Sequence, residues 1–138
     1  MKRIEIFEDG IYLTVLCDNE RAGLLLSRRP FKESDAADVQ SLPLIRTDGE
    51  FEPSAPRVSD TGNMTGRRVV ITQNDSRACV CLSTVIQFHR GKGFAEVFSE
   101  LSNYRLLTVR AVNGDGCFSA AAGQTVRIPF RCIKEDEI

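Results

Sequence analysis

The segment ACVCLSTVIQFHRGKGFAEVF, residues 78–98, decides how the fold is read. Its apolar residues recur at every second position, the period of an extended strand, because successive side chains there point to opposite faces. Val80, Leu82, Ile86 and Phe88 fall on one face, and Cys79, Cys81, Val85 and Gln87 on the other. Both faces are apolar, which predicts a central strand. The Gly-Lys-Gly at 91–93 invites comparison with a phosphate-binding loop. Such a loop needs four residues between its first glycine and a Gly-Lys-Ser/Thr, and it opens a helix. Here Gly93 and Phe94 follow Lys92, and FAEVF is strand-like again. The segment is therefore a β-hairpin with the polar tip HRGKG, where Gly91 and Gly93 supply backbone angles that other residues avoid.

The same period governs the flanking chain. In TVRIPFRCI, Val126, Ile128, Phe130 and Cys132 share one face, and Pro129, which has no N–H to donate, predicts an edge strand or a bulge. RIEIFEDGIYLTVLC breaks at Asp9-Gly10, a dipeptide suited to a tight hairpin turn. YRLLTVRAV reads as a strand closed by the turn signal NGDG at 113–116, and further strands are expected at GLLLS and RRVVIT. The one helical candidate is SDAADVQSL near residues 34–42, with Ser34 as its cap. Residues 46–66 show no sustained period and are expected to form a long irregular loop. The expected architecture is an all-β antiparallel sandwich with at most one short helix, in one domain over residues 1–138.

With 138 residues, 42% hydrophobic and 27% charged, the composition suits one globular core. No apolar run approaches the roughly 18 residues of a membrane span, and the start MKRIEIFEDG lacks the apolar block of a signal peptide. No membrane partner and a cytoplasmic location are expected. Eighteen basic side chains against nineteen acidic ones leave no clustered positive field, so no nucleic-acid partner is expected. Cys17, Cys79, Cys81, Cys117 and Cys132 are an odd number without secretory context, which predicts free thiols.

Candidate chemistry is sparse. Cys79 and Cys81 lie two apart on a predicted strand, without a second Cys or His pair to complete a metal site, and are expected to be small buried hydrophobes. Glu96 and Glu100 share a strand face, yet four extended residues separate them by about 13 Å, more than a glycosidase carboxylate pair allows. His89 is the only histidine, and no Gly-x-Ser-x-Gly elbow accompanies it, so it is expected to be solvated at the hairpin tip. No catalytic residue, cofactor or metal is expected. The candidate partner contacts are Arg57, Asp60, Thr61 and Asn63 of the long connection, with His89 and Lys92 of the hairpin tip.

The order of segments, from IEIFEDGIYLTVLC through LLLSRRPF, LPLI and DTGNMTGRRVVIT to CLSTVIQFHRGKGFAEVFSELSN, resembles the N-terminal β-supersandwich of glycoside hydrolase family 36, the α-galactosidase type. The resemblance covers most of residues 3–112 and rests on Phe88, the turn Gly91–Gly93 and Asn103. It implies a supersandwich-like fold. In that family the nucleophile and the acid/base are aspartates on a following barrel that these 138 residues do not contain, so no catalytic residue carries over. It further implies a packing role, with a catalytic barrel domain or a second copy as partner. The alternative is a free-standing small β-barrel or sandwich that binds a ligand or protein. Carbohydrate is a further candidate partner, although there is no tryptophan and only Tyr12 and Tyr104 offer phenol rings as platforms.

Overall fold

A computed structural model describes residues 2–47, 54–75, 79–114 and 116–134. Its strands are β1 (Lys2–Glu8), β2 (Ile11–Cys17), β3 (Ala22–Ser27), β4 (Gln40–Leu42), β5 (Arg46–Thr47), β6 (Arg57–Gly62), β7 (Arg67–Asp75), β8 (Val80–His89), β9 (Phe94–Asn103), β10 (Val109–Asn113), β11 (Gly116–Ala120) and β12 (Thr125–Lys134). They form antiparallel sheets in the orders β1-β2-β3-β4, β11-β10-β5 and β12-β9-β8-β7-β6. The chain is an all-β sandwich.

The five-stranded sheet is the shared layer. One half of its inner face, Val69, Ile71, Ile86, Phe88, Ala95 and Val97, packs on Ile11, Leu13, Val15 and Leu24 of the four-stranded sheet. The other half, Val80, Leu82, Leu101 and Ile128, packs on Val109, Ala111 and Ala120 of the three-stranded sheet. β8 is the centre of this layer, and Phe88 and Val85, on its opposite faces, are both almost fully buried. The predicted hairpin is present, with Gly91 at φ 73° and Gly93 at φ 66°. Asp9 and Gly10 both take positive φ, which joins β1 to β2 through a turn of the expected kind.

Several expectations are corrected. The one short helix is present as a 3-10 helix, Glu33–Asp38, but Ser34 lies inside it instead of capping it, and Gln40–Leu42 form strand β4. The helix start is fastened by Asp35, whose carboxylate accepts the Lys32 N–H at 2.8 Å and faces Arg29 at 3.0 Å. Within the 46–66 connection, Arg46–Thr47 and Arg57–Gly62 form strands β5 and β6, with residues 48–53 outside the described part. The strand expected at 104–112 begins only at Val109, because Asn103 bends the preceding residues into a loop. β12 is an edge strand with a bulge, its register shifting between Pro129 and Arg131. One extra residue reverses the alternation, so Phe130 and Cys132 are exposed instead of sharing the face of buried Ile128.

Candidate functional site

Three hairpin tips meet at one end of the sandwich. The Asp9 carboxylate, in the β1–β2 turn, accepts the Gly91 N–H of the β8–β9 turn at 2.8 Å. The Thr65 carbonyl, in the β6–β7 turn, accepts the Arg90 N–H at 2.9 Å. Asn63 and Gln87 exchange carboxamide hydrogen bonds of 2.8 and 3.2 Å, and the Asn63 oxygen also accepts the N–H groups of Thr65 and Gly66. Asn63 therefore clamps the β6–β7 turn onto Gln87 of β8, while Lys92 stands exposed at the β8–β9 tip.

Charged groups tie the sheets together nearby. Arg67 of β7 meets Asp60 of β6 at 2.8 Å and Glu8 of β1 at 3.5 Å. The Arg67 guanidinium holds the Asp60 carboxyl below its ordinary value, and Arg29, with the Lys32 N–H, does the same for Asp35. A carboxyl lowered in the folded state contributes stability above the unfolded value of about 3.9 and loses it as pH falls through the lower folded value. Urea midpoints are therefore expected to fall below about pH 4, and Asp35→Asn is expected to flatten part of that limb. An unchanged acid limb in both Asp35→Asn and Asp60→Asn would contradict this assignment.

The outer face of the five-stranded sheet carries the remaining candidates. His89 is not solvated: its imidazole stacks on Phe94 at 4.4 Å between centroids, and Nε2 lies 2.6 Å from Glu96 Oε1. That nitrogen is shielded from solvent and the contact falls short of hydrogen-bond alignment, so it is an ion pair only when the ring is protonated. Glu96 also meets Arg127 at 3.0 Å, and Glu100 meets Arg68 at 3.5 Å. Between them Phe98 lies under the Arg127 guanidinium, 3.6 Å from its centroid, with Arg68 at 5.8 Å. The two carboxylates share a face as expected, but each serves a cation, and an aromatic ring fills the space between them.

The thiols do not form a site. Cys79 is exposed with φ 54° ahead of β8 and Cys81 is half-buried, which corrects the expectation of two buried neighbours on one strand. No disulfide joins any of the five cysteines, and among the described residues no group of three or more His, Cys, Asp or Glu is placed to hold a metal ion. Tyr12 packs against Phe7 at 4.5 Å, leaving Tyr104 as the exposed phenol.

Two surfaces escaped the sequence reading. A cleft of about 380 Å³ opens between Lys2 of β1, Cys17 of β2 and the turn residues Asp18 and Asn19 on one side and Ala55, Pro56 and Val58, at the start of β6, on the other. At the far end of β9, Tyr104, Leu106 and Leu107 are 70%, 95% and 68% exposed. Fully buried Asn103 holds that loop, donating to the Leu107 and Ala120 carbonyls and accepting the Arg105 N–H. The apolar triplet YxLL was visible in the sequence, but it reads equally well as a strand.

Of the six candidate contacts, Arg57, Asp60 and Thr61 stand on β6, the open edge of the five-stranded sheet. Asn63 and Lys92 gather at the hairpin tips, and Arg57 lies six extended residues, about 20 Å, from Asn63 along β6. No protein-family profile, curated protein or solved structure matches the chain. Among the described residues no helix is long and apolar enough to cross a membrane.

Proposed function

We propose that this chain is a non-catalytic β-sandwich of the kind that opens an α-galactosidase-type glycoside hydrolase, with a packing or oligomerisation role in a cytoplasmic, carbohydrate-metabolising assembly. The observation that carries this reading is the edge strand β6. It is exposed along nearly its whole length and bears three of the candidate contact residues. Open strand edges carry backbone donors and acceptors for another chain. Glu96 and Glu100, the two carboxylates that share the outer sheet face, pair with Arg127 and Arg68.

Purified chain is expected to release no product from an aryl α-galactoside, and the double substitution Glu96→Ala, Glu100→Ala to leave that null result unchanged. Turnover by the parent chain that disappears in the double variant would overturn the reading.

A second reading, a free-standing sandwich that binds a protein partner, draws support from the Tyr104–Leu107 loop, since rigid exposed apolar groups mark contact surfaces. A photo-crosslinker at position 106 then captures one discrete partner. Crosslinking to none would count against it.

A further inference from the structure

The sheet edges of this molecule differ in how they are protected. β12 has a bulge, a proline that cannot donate, and the flanking Arg127 and Arg131. β1 carries Lys2, Arg3, Glu5 and Glu8 along seven residues. β4 and β5 span three and two residues, too short to template a partner, and β11 leans on β12 and β9. β6 is less protected: it carries Arg57 and, on its inner face, Asp60, but its six residues make it longer than β4 or β5 and nothing interrupts them. Its register with β7 runs unbroken from Arg57 opposite Thr72 to Gly62 opposite Arg67, without proline, lysine or bulge inside it. Among the described strands only β7 pairs with it.

We infer that the partner of this edge is a second copy of the same chain, paired antiparallel along β6 about a two-fold axis at Ser59. The inference rests on the packing reading above and gives it an interface and a register. A two-fold axis normal to the sheet sets each residue opposite one on the same face, so it must pass through a residue rather than between two. Arg57, Ser59 and Thr61 oppose Thr72, Val70 and Arg68 and share the outer face; Val58, which packs on the core, and Asp60 share the inner one. Centring on Asp60 would set two carboxylates face to face, an unfavourable pair. Centring on Val58 would place Asp60 opposite Pro56, which has no N–H, and leave Thr61 beyond the pairing. Centring on Ser59 pairs all of 57–61, with Arg57 opposite the other copy's Thr61, Val58 opposite Asp60, and Ser59 opposite itself. Asp60 remains neutralised by its own Arg67. The product is a continuous ten-stranded sheet from two five-stranded ones.

Because Ser59 meets itself, charge at that position tests the register. Ser59 is exposed, so Ser59→Lys and Ser59→Glu should each fold with the parent's far-ultraviolet circular dichroism spectrum. Each variant alone sets like charges opposite one another and is expected to weaken self-association about fivefold, while a one-to-one mixture restores it to the parent level at low salt. The readout is sedimentation equilibrium of each variant and of the mixture. If the variants associate as tightly as the parent, or if mixing restores nothing, the β6 pairing is overturned while self-association through another surface stands. A parent chain that stays monomeric overturns the pairing and the self-association half of the reading together.

Discussion

Replacing Asn103 with alanine is expected to destabilise the fold by about 3 kcal/mol, because a fully buried carboxamide with three partners is removed. Its amide nitrogen donates to the carbonyls of Leu107 and Ala120 at 2.8 and 2.9 Å, and its oxygen accepts the Arg105 N–H at 2.9 Å. Its backbone meets the 121–124 turn through Gln124 and Gly123. The side chain thus connects the end of β9, the exposed Tyr104–Leu107 loop and the end of β11. Alanine would strand the Ala120 carbonyl, whose bond is buried, at about 1–3 kcal/mol, and would release the part-buried Leu107 carbonyl and Arg105 N–H from the bonds that shape the loop. In a chain of this size the melting temperature should fall by about 10 °C. Asn103→Asp keeps the acceptor and loses the donors, so it should be comparably damaging. A loss below about 1 kcal/mol would show that the loop is not held this way.

The second large effect is expected at Gly66. A methyl group there would run into the carbonyl oxygen of Phe88 and stand 3.0 Å from the Arg90 nitrogen. Both are backbone atoms at the end of the central strand and cannot move aside as a flexible side chain would. Gly66 also accepts the Asn63 N–H at 2.8 Å and donates to the Asn63 side chain at 2.9 Å, so displacement would loosen the clamp on Gln87. Gly66→Ala is expected to cost about 3 kcal/mol, the upper part of the range for overpacking. Gly91→Ala, where an added carbon meets nothing within 4 Å, should cost less, since only its positive φ is strained. Comparable urea midpoints for the two variants would contradict the close approach of the β6–β7 turn to β8.

The contrast between these glycines reflects what a linear pattern can carry. Gly91 and Gly93 announce a turn because their neighbours alternate on both sides, and β8 and β9 follow from that period directly. Gly66 carries no such announcement, because its role depends on a strand more than twenty positions later in the chain. The Asp9-Gly10 hairpin was legible for the same local reason, whereas its anchoring of Gly91 was not. Pro129 signalled a bulge correctly, but not the side on which Cys132 would emerge, since one inserted residue inverts every later position. The apparent strand at Tyr104–Thr108 failed because Asn103 offers the backbone other partners than a ladder.

The candidate site was legible in part. Arg57, Asp60 and Thr61 share strand β6, although RVSDTG shows no alternation of apolar and polar residues that would announce a strand. That β6 lies at an edge is a property of sheet order, which no local period encodes. The pairing of His89 with Glu96 likewise needs the β8–β9 register, in which Gln87 opposes Glu96 and His89 opposes Phe94. The balance of charge across the chain conceals how the charges are used. Arg68 and Arg127 lie over Phe98 and pair with glutamates, so the outer face of the largest sheet is covered by its own side chains. Among the described residues the β6 edge of that sheet has no strand paired on its outer side.

Sedimentation velocity of the parent chain over a wide range of concentration tests this account of β6 most directly. The expected result is a reversible monomer–dimer equilibrium that Ser59→Lys shifts toward monomer while the circular dichroism spectrum stays that of the parent. A monomer at every concentration, or a dimer indifferent to Ser59→Lys, would contradict it.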